Sequence, residues 1–149
     1  MVYGIILAGG SGKRVGSDIP KQYIEINGKP LLYYTLRAFE ESQVDRISIV
    51  ADEEHIRFVI SEIVDKYNLQ KVIRVCQGGA ERFNSVHHGL DDISDAATEK
   101  DIVLIHDGAR PFIKPDEVNA MIEAVSVHDA AIAAMPGTAA NSGAISLAV

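Results

Sequence analysis

Short runs of Val, Ile and Leu alternate along the chain with longer stretches whose apolar positions recur every three or four residues. The strand-like runs are VYGIIL (2–7), RISIVA (46–51), KVIRVC (71–76), DIVLIHD (101–107) and AAIAAM (130–135). Between them lie PLLYYTLRAFEES (30–42), EHIRFVISEIVDKYN (54–68), ERFNSVHHGLDDI (81–93) and PDEVNAMIEAVSVH (115–128), each with helical periodicity. The order is βαβαβαβαβ. Strands that are apolar throughout and separated by helices predict a Rossmann-like, doubly wound α/β fold with a mostly parallel sheet covered on both faces. Ligands of such sheets lie beyond the C-terminal ends of the strands, so the informative loops follow Leu7, Cys76 and Ile105.

Composition narrows the class. With 149 residues, 47% of them apolar and 23% charged, the chain has the make-up of one soluble globular domain with a substantial core. No apolar run approaches the roughly 20 residues of a membrane span, and the N-terminus reads as a strand rather than a leader, so a cytoplasmic location is expected. Cys76 is the one cysteine, which rules out an internal disulfide, and its place in KVIRVC suits a small core residue better than a nucleophile. A net charge of −7 argues against general nucleic-acid binding and makes any local cationic cluster stand out. The acidic run DDISDAATEKD (91–101) reads as a solvated helix end and loop, with an acidic binding surface as the alternative.

One such cationic cluster directly follows the first strand, in ILAGGSGKRVGSDIPKQY (6–23). The dinucleotide fingerprint would need glycine at 15, where Val15 stands, and a P-loop would need Ser or Thr after Gly12-Lys13, where Arg14 stands. What remains is a loop whose glycines let backbone N–H groups approach phosphate oxygens, followed by Arg14 and by Lys21 behind the stiffening Pro20. Arg82 and Ser85 lie three apart at the start of the third helix and share a face, either as ligand contacts or as a helix-start polar pair. Asp107 ends an apolar strand, as a crevice carboxylate or a turn cap. Arg110 before Pro111 either fixes its loop or contacts an anion. His106 reads as structural, and the adjacent His87 and His88 diverge on a helix, so no zinc site is supported.

LAGGSGKR followed by PKQY resembles the signature of nucleotidyltransferases that activate sugar or polyol phosphates. GGAERFNSV (78–86) and HDGARPF (106–112) resemble the second and third motifs of the 2-C-methyl-D-erythritol 4-phosphate cytidylyltransferase family. The resemblance implies transfer of CMP from CTP to methylerythritol phosphate, with Mg2+ bound mainly through the CTP phosphates. It assigns Arg14 and Lys21 to the α-phosphate, Ala8, Gly9, Gly10 and Gly12 to nucleotide contacts, and Gly79, Ala80 and Ser85 to cytosine and ribose recognition, with Arg82 a further nucleotide-binding residue. Asp107, Gly108 and Arg110 fall in its acceptor or metal region. Lys13 is a second phosphate contact or a solvated neighbour. Ribitol 5-phosphate or another polyol phosphate as acceptor, and a non-catalytic nucleotide-binding module, are the alternatives.

The likeness runs from residue 1 to about Pro136. There the family continues with an Asp-Thr pair and a basic residue, then with an arm that serves its homodimer, whereas this chain reads GTAANSGAISLAV. Residues 1–136 are therefore expected to form an incomplete CTP-binding domain and residues 137–149 a divergent, poorly ordered tail in which Thr138 is a doubtful counterpart. A chain of this extent is expected to convert little methylerythritol phosphate.

Overall fold

The computed structural model describes residues 1–10, 18–134 and 144–148. Its six-stranded sheet is built around β1 (Val2–Ala8), which pairs in parallel with β4 (Arg46–Ala51) on one side and β6 (Ile102–Asp107) on the other. A third parallel partner, β5 (Val72–Gln77), adds outside β4. The two-residue strands β2 (Glu25–Ile26) and β3 (Lys29–Pro30) form a separate hairpin turning through Asn27-Gly28. Helices α1 (Leu31–Glu40), α2 (Ile56–Phe58, continued by a wider π-type turn over Val59–Asp65), α3 (Arg82–Ser94) and α4 (Pro115–His128) connect the strands.

The remaining strands are antiparallel additions to this mostly parallel sheet. β7 (Ala131–Ala134) does not lie beside β6, because β8 (Ala144–Ala148) runs antiparallel between them. Leu104 faces Ala148 and Ile105 faces Leu147 across one ladder, while Ala131 faces Ala148 across the other. Residues 144–148 thus pair on both sides within the segment expected to fray. The physical reason is the edge of β6, whose unpaired N–H and C=O groups would otherwise face solvent and are satisfied by any extended segment that can reach them.

The pleat of β1 divides the core. Tyr3, Ile5 and Leu7 face one side with Val50, Ile93 and Ile105, under α3. Ile6 and Ala8 face the other, with Ile47, Ile49, Leu104 and residues of α1, α2 and α4. One face therefore carries three helices and the other carries α3. On that sparser face the helix comes in close: a Cβ at Gly89 would stand 2.6 Å from Ile5 Cγ2 and 3.0 Å from Val50 Cγ2. This contact sets the height of α3 and hence of the loop before it.

Gly89→Ala tests that spacing. Alanine gains about 0.5–1 kcal/mol of helix propensity over glycine, whereas overpacking a well-filled core costs about 1–3 kcal/mol. Overpacking wins, and urea denaturation is expected to show a net loss of about 1–2 kcal/mol.

Candidate functional site

β1 ends at Ala8, and the chain leaves the sheet through Gly9 and Gly10, against which the Asp52 carboxylate lies. The Ala8 carbonyl accepts from Gln22 Nε2 at 2.6 Å and from the Tyr23 hydroxyl at 3.2 Å, both from the short 3-10 turn Lys21–Tyr23. Gln22 also reaches the Gly10 carbonyl at 3.4 Å, so one amide clamps both sides of the turn. Burial pushes the Tyr23 phenol well above its ordinary range, which keeps it a neutral donor. Gly10 has φ +107°, a conformation that favours glycine, and a Cβ there would meet nothing within 4 Å. Its N–H donates to both carboxylate oxygens of Asp52, at 3.1 and 3.3 Å.

On the other side of β1, the loop after β6 is held by four bonds. Gly108 N–H donates to the Leu7 carbonyl at 2.8 Å, and Thr35 on α1 donates to the Gly108 carbonyl at 2.9 Å. Arg110 N–H returns to the Asp107 carbonyl at 3.1 Å, and His106 Nε2 lies 3.3 Å from the Arg110 carbonyl. That carbonyl can only accept, so the His106 proton is on Nε2. The His106 side chain is fully buried against Phe39, and burial pushes it below its ordinary value of 6.5. It is a structural imidazole.

Asp107 stands at the mouth of this loop between two guanidinium groups, paired with Arg82 from the first turn of α3 and with Arg110 Nε at 3.0 Å. Behind Arg82, the buried Ser85 hydroxyl accepts from Gly79 N–H at 3.2 Å, which closes the turn after β5 onto α3.

Leu7, Gly9, Gly10, Lys21, Gln22, Asp107, Ala109 and Arg110 line a cleft of about 330 Å3. The structure thus brings Gly9, Gly10, Lys21, Asp107 and Arg110 to one opening. Gly79, Ala80 and Ser85 belong to the neighbouring turn, joined to the cleft through the Arg82–Asp107 pair. Gly12, Lys13 and Arg14 lie outside the described residues, as do Pro136 and Thr138. Cys76 is half-buried on the outer strand β5, packed against the core cluster under α3, and burial followed by the Asp92 charge raises its thiol pKa. His87 packs on Phe83 and His88 meets the Gln77 carbonyl at 3.0 Å.

Sequence reasoning passed over Gln22, Thr35 and Asp52. Asp52 carried a usable signal, since it is a carboxylate directly after the parallel strand β4, on the rim of the sheet where Asp107 ends β6. Among the described residues no three His, Cys, Asp or Glu side chains gather into a cation site.

Comparison with known proteins agrees with this architecture. The sequence model of the family described as 2-C-methyl-D-erythritol 4-phosphate cytidylyltransferase matches residues 2–142. The chain belongs to this family. The relative of that name from Lachnospira eligens is 51% identical over 133 residues, which cover 89% of this chain and 56% of the relative. One from Lachnoclostridium phytofermentans is 45% identical over 131 residues, 88% of this chain and 54% of that one. The chain therefore spans a little over half the length of these curated relatives.

Solved structures of the family carry the same fold. The crystal structure of 4-diphosphocytidyl-2C-methyl-D-erythritol synthase from Anaerococcus prevotii superposes with a TM-score of 0.74 at 29% identity, covering 92% of this chain and 56% of that one. The Francisella tularensis cytidylyltransferase gives 0.70 at 33% identity, covering 97% of this chain and 64% of the other. Among the described residues no helix is long and apolar enough to cross a membrane.

The buried His106 makes stability depend on pH. The unfolded chain takes up a proton as pH falls through about 6.5, and the folded chain does so only at lower pH. Stability is therefore full above 6.5 and falls below it, by up to about 1.4 kcal/mol per pH unit from this group, until pH reaches the folded value. Urea midpoints at pH 7.5 and 5.5 should separate by less in His106→Gln than in the parent chain. Equal separations would show that His106 does not contribute.

Proposed function

We propose that the chain carries the nucleotide half of a cytidylyltransferase site, in an enzyme that transfers CMP from CTP to 2-C-methyl-D-erythritol 4-phosphate. The observation that carries this reading is the convergence of the Gly9–Gly10 backbone, Lys21 and Arg110 on one cleft at the ends of β1 and β6.

A phosphate oxygen of the acceptor attacks the α-phosphorus of CTP. The new P–O bond forms as the bond to the bridging oxygen breaks, and the electron pair leaves with pyrophosphate. The attacking oxygen is already anionic, so no side chain need remove a proton; the chain's tasks are positioning and charge stabilisation. Lys21, behind Pro20, offers a mobile point charge to the α-phosphate, joined by Arg14. The backbone at Ala8, Gly9, Gly10 and Gly12 reads the nucleotide at close quarters. Gly79, Ala80 and Ser85 shape a short turn that suits a pyrimidine, with Arg82 beside it.

Asp107, Gly108 and Arg110 form the wall nearest the acceptor. Arg110 pairs with Asp107 in the structure and becomes a phosphate contact by exchanging one anion for another. Mg2+ supplies neutralisation of the triphosphate charge, and Asp107 is the residue suited to hold it.

Titration calorimetry with Mg2+ present is expected to give tighter binding of CTP than of ATP or NAD; equal binding of CTP and ATP removes the cytosine assignment. Catalytic roles are tested in this chain joined to the C-terminal half of a longer family relative, by pyrophosphate release with methylerythritol phosphate or ribitol 5-phosphate as acceptor. Arg14→Ala and Lys21→Ala are each expected to lower turnover by about 10²–10³, and His87→Ala to leave it unchanged. Normal turnover by either of the first two variants contradicts its role.

A further inference from the structure

Asp52 occupies a donor that the proposed nucleotide needs. Its carboxylate takes the Gly10 N–H with both oxygens, at 3.1 and 3.3 Å. It stands at the end of β4 on the same rim of the sheet as the glycine loop, since Ala51 and Ala8 are register partners. Among the described residues it has no cationic partner. Nor does its side chain cap the short turn that follows it, Glu53–His55. The turn is instead held by the backbone bond from His55 N–H to the Asp52 carbonyl at 2.9 Å. The carboxylate is therefore not needed to build its own element, and among the described residues its hydrogen bonds go to the loop that borders the cleft. A Cβ at Gly10 would meet no atom of the described residues within 4 Å.

From this placement we infer that Asp52 is a specificity-determining residue that makes nucleotide binding depend on a divalent cation. The inference rests on the reading of the cleft as a CTP site. A triphosphate that approaches Gly10 meets a fixed negative charge that already holds the N–H. An uncomplexed triphosphate is repelled along its whole charged length. When the same triphosphate carries Mg2+, much of its charge is neutralised and the repulsion falls, with the cation itself attracted to the carboxylate. Asp52 thus discriminates between metal-bound and free nucleotide without contacting the base. A like charge about 4 Å away weakens binding roughly fivefold at the dielectric constant of water, and more in a partly enclosed cleft.

The experiment is calorimetric titration of the parent chain and of Asp52→Asn with CTP in Mg2+, with CTP in EDTA, and with cytidine in EDTA. Asparagine keeps an oxygen that can accept from Gly10 N–H and removes only the charge. The account expects Asp52→Asn to bind CTP in EDTA at least about fivefold more tightly than the parent, to narrow the Mg2+/EDTA ratio correspondingly, and to leave cytidine unchanged. Unchanged or weaker CTP binding by Asp52→Asn in EDTA overturns the inference. So does an equal change for cytidine, which would mark a shape effect rather than a charge effect. A parent chain that fails to bind CTP in Mg2+ overturns the underlying reading instead.

Discussion

The structure depends on one constraint: β1 is buried on both faces and paired on both edges, so its C-terminal end is held where no rearrangement of a single neighbour can move it. Everything at the cleft is hung from that end. The Ala8 carbonyl is the anchor for Gln22 and Tyr23, and the Leu7 carbonyl is the anchor for Gly108. Two loops far apart in sequence are thereby located against the same two residues. A binding site that works by positioning needs this arrangement, because its precision comes from the sheet and its chemistry from the loops.

The rim of the cleft is a set of anions held against donors. Asp52 sits on Gly10 N–H, and Asp107 sits between Arg82 and Arg110. Both carboxylates satisfy groups that would otherwise have only water, and both are held by contacts that a phosphate is able to replace. An acidic chain thus contains a local site for an acidic ligand. Its overall charge of −7 says little about that site, whereas the few cations beside the glycine turn say a great deal.

Much of the sheet was legible in the sequence because strands of a parallel sheet are largely apolar, and four such runs separated by helical periodicity became its parallel strands. Asp107 and the glycine loop were legible for the same reason, since one ends and the other directly follows two of those runs. The Asn27-Gly28 hairpin carried a clear turn signal but only two residues per strand, too few for alternation to show. β8 was illegible because its pairing is dictated by the open edge of β6, a feature of the assembled sheet and not of residues 144–148. Gln22 and Thr35 were missed for a related reason. Each is a polar side chain that reaches a backbone carbonyl of another segment, and the partners come together only when the chain is folded.

The central claim is that the ends of β1 and β6 form the nucleotide site. Amide chemical shifts of the labelled chain, followed while CTP with Mg2+ is added, test it most directly. The account predicts the largest changes at Gly9, Gly10, Lys21 and Arg110, with smaller ones in the turn at Gly79 and Ala80 and almost none along α4. Changes concentrated on α4 or at the N-terminal ends of the strands, with Gly9 and Gly10 unmoved, would contradict it.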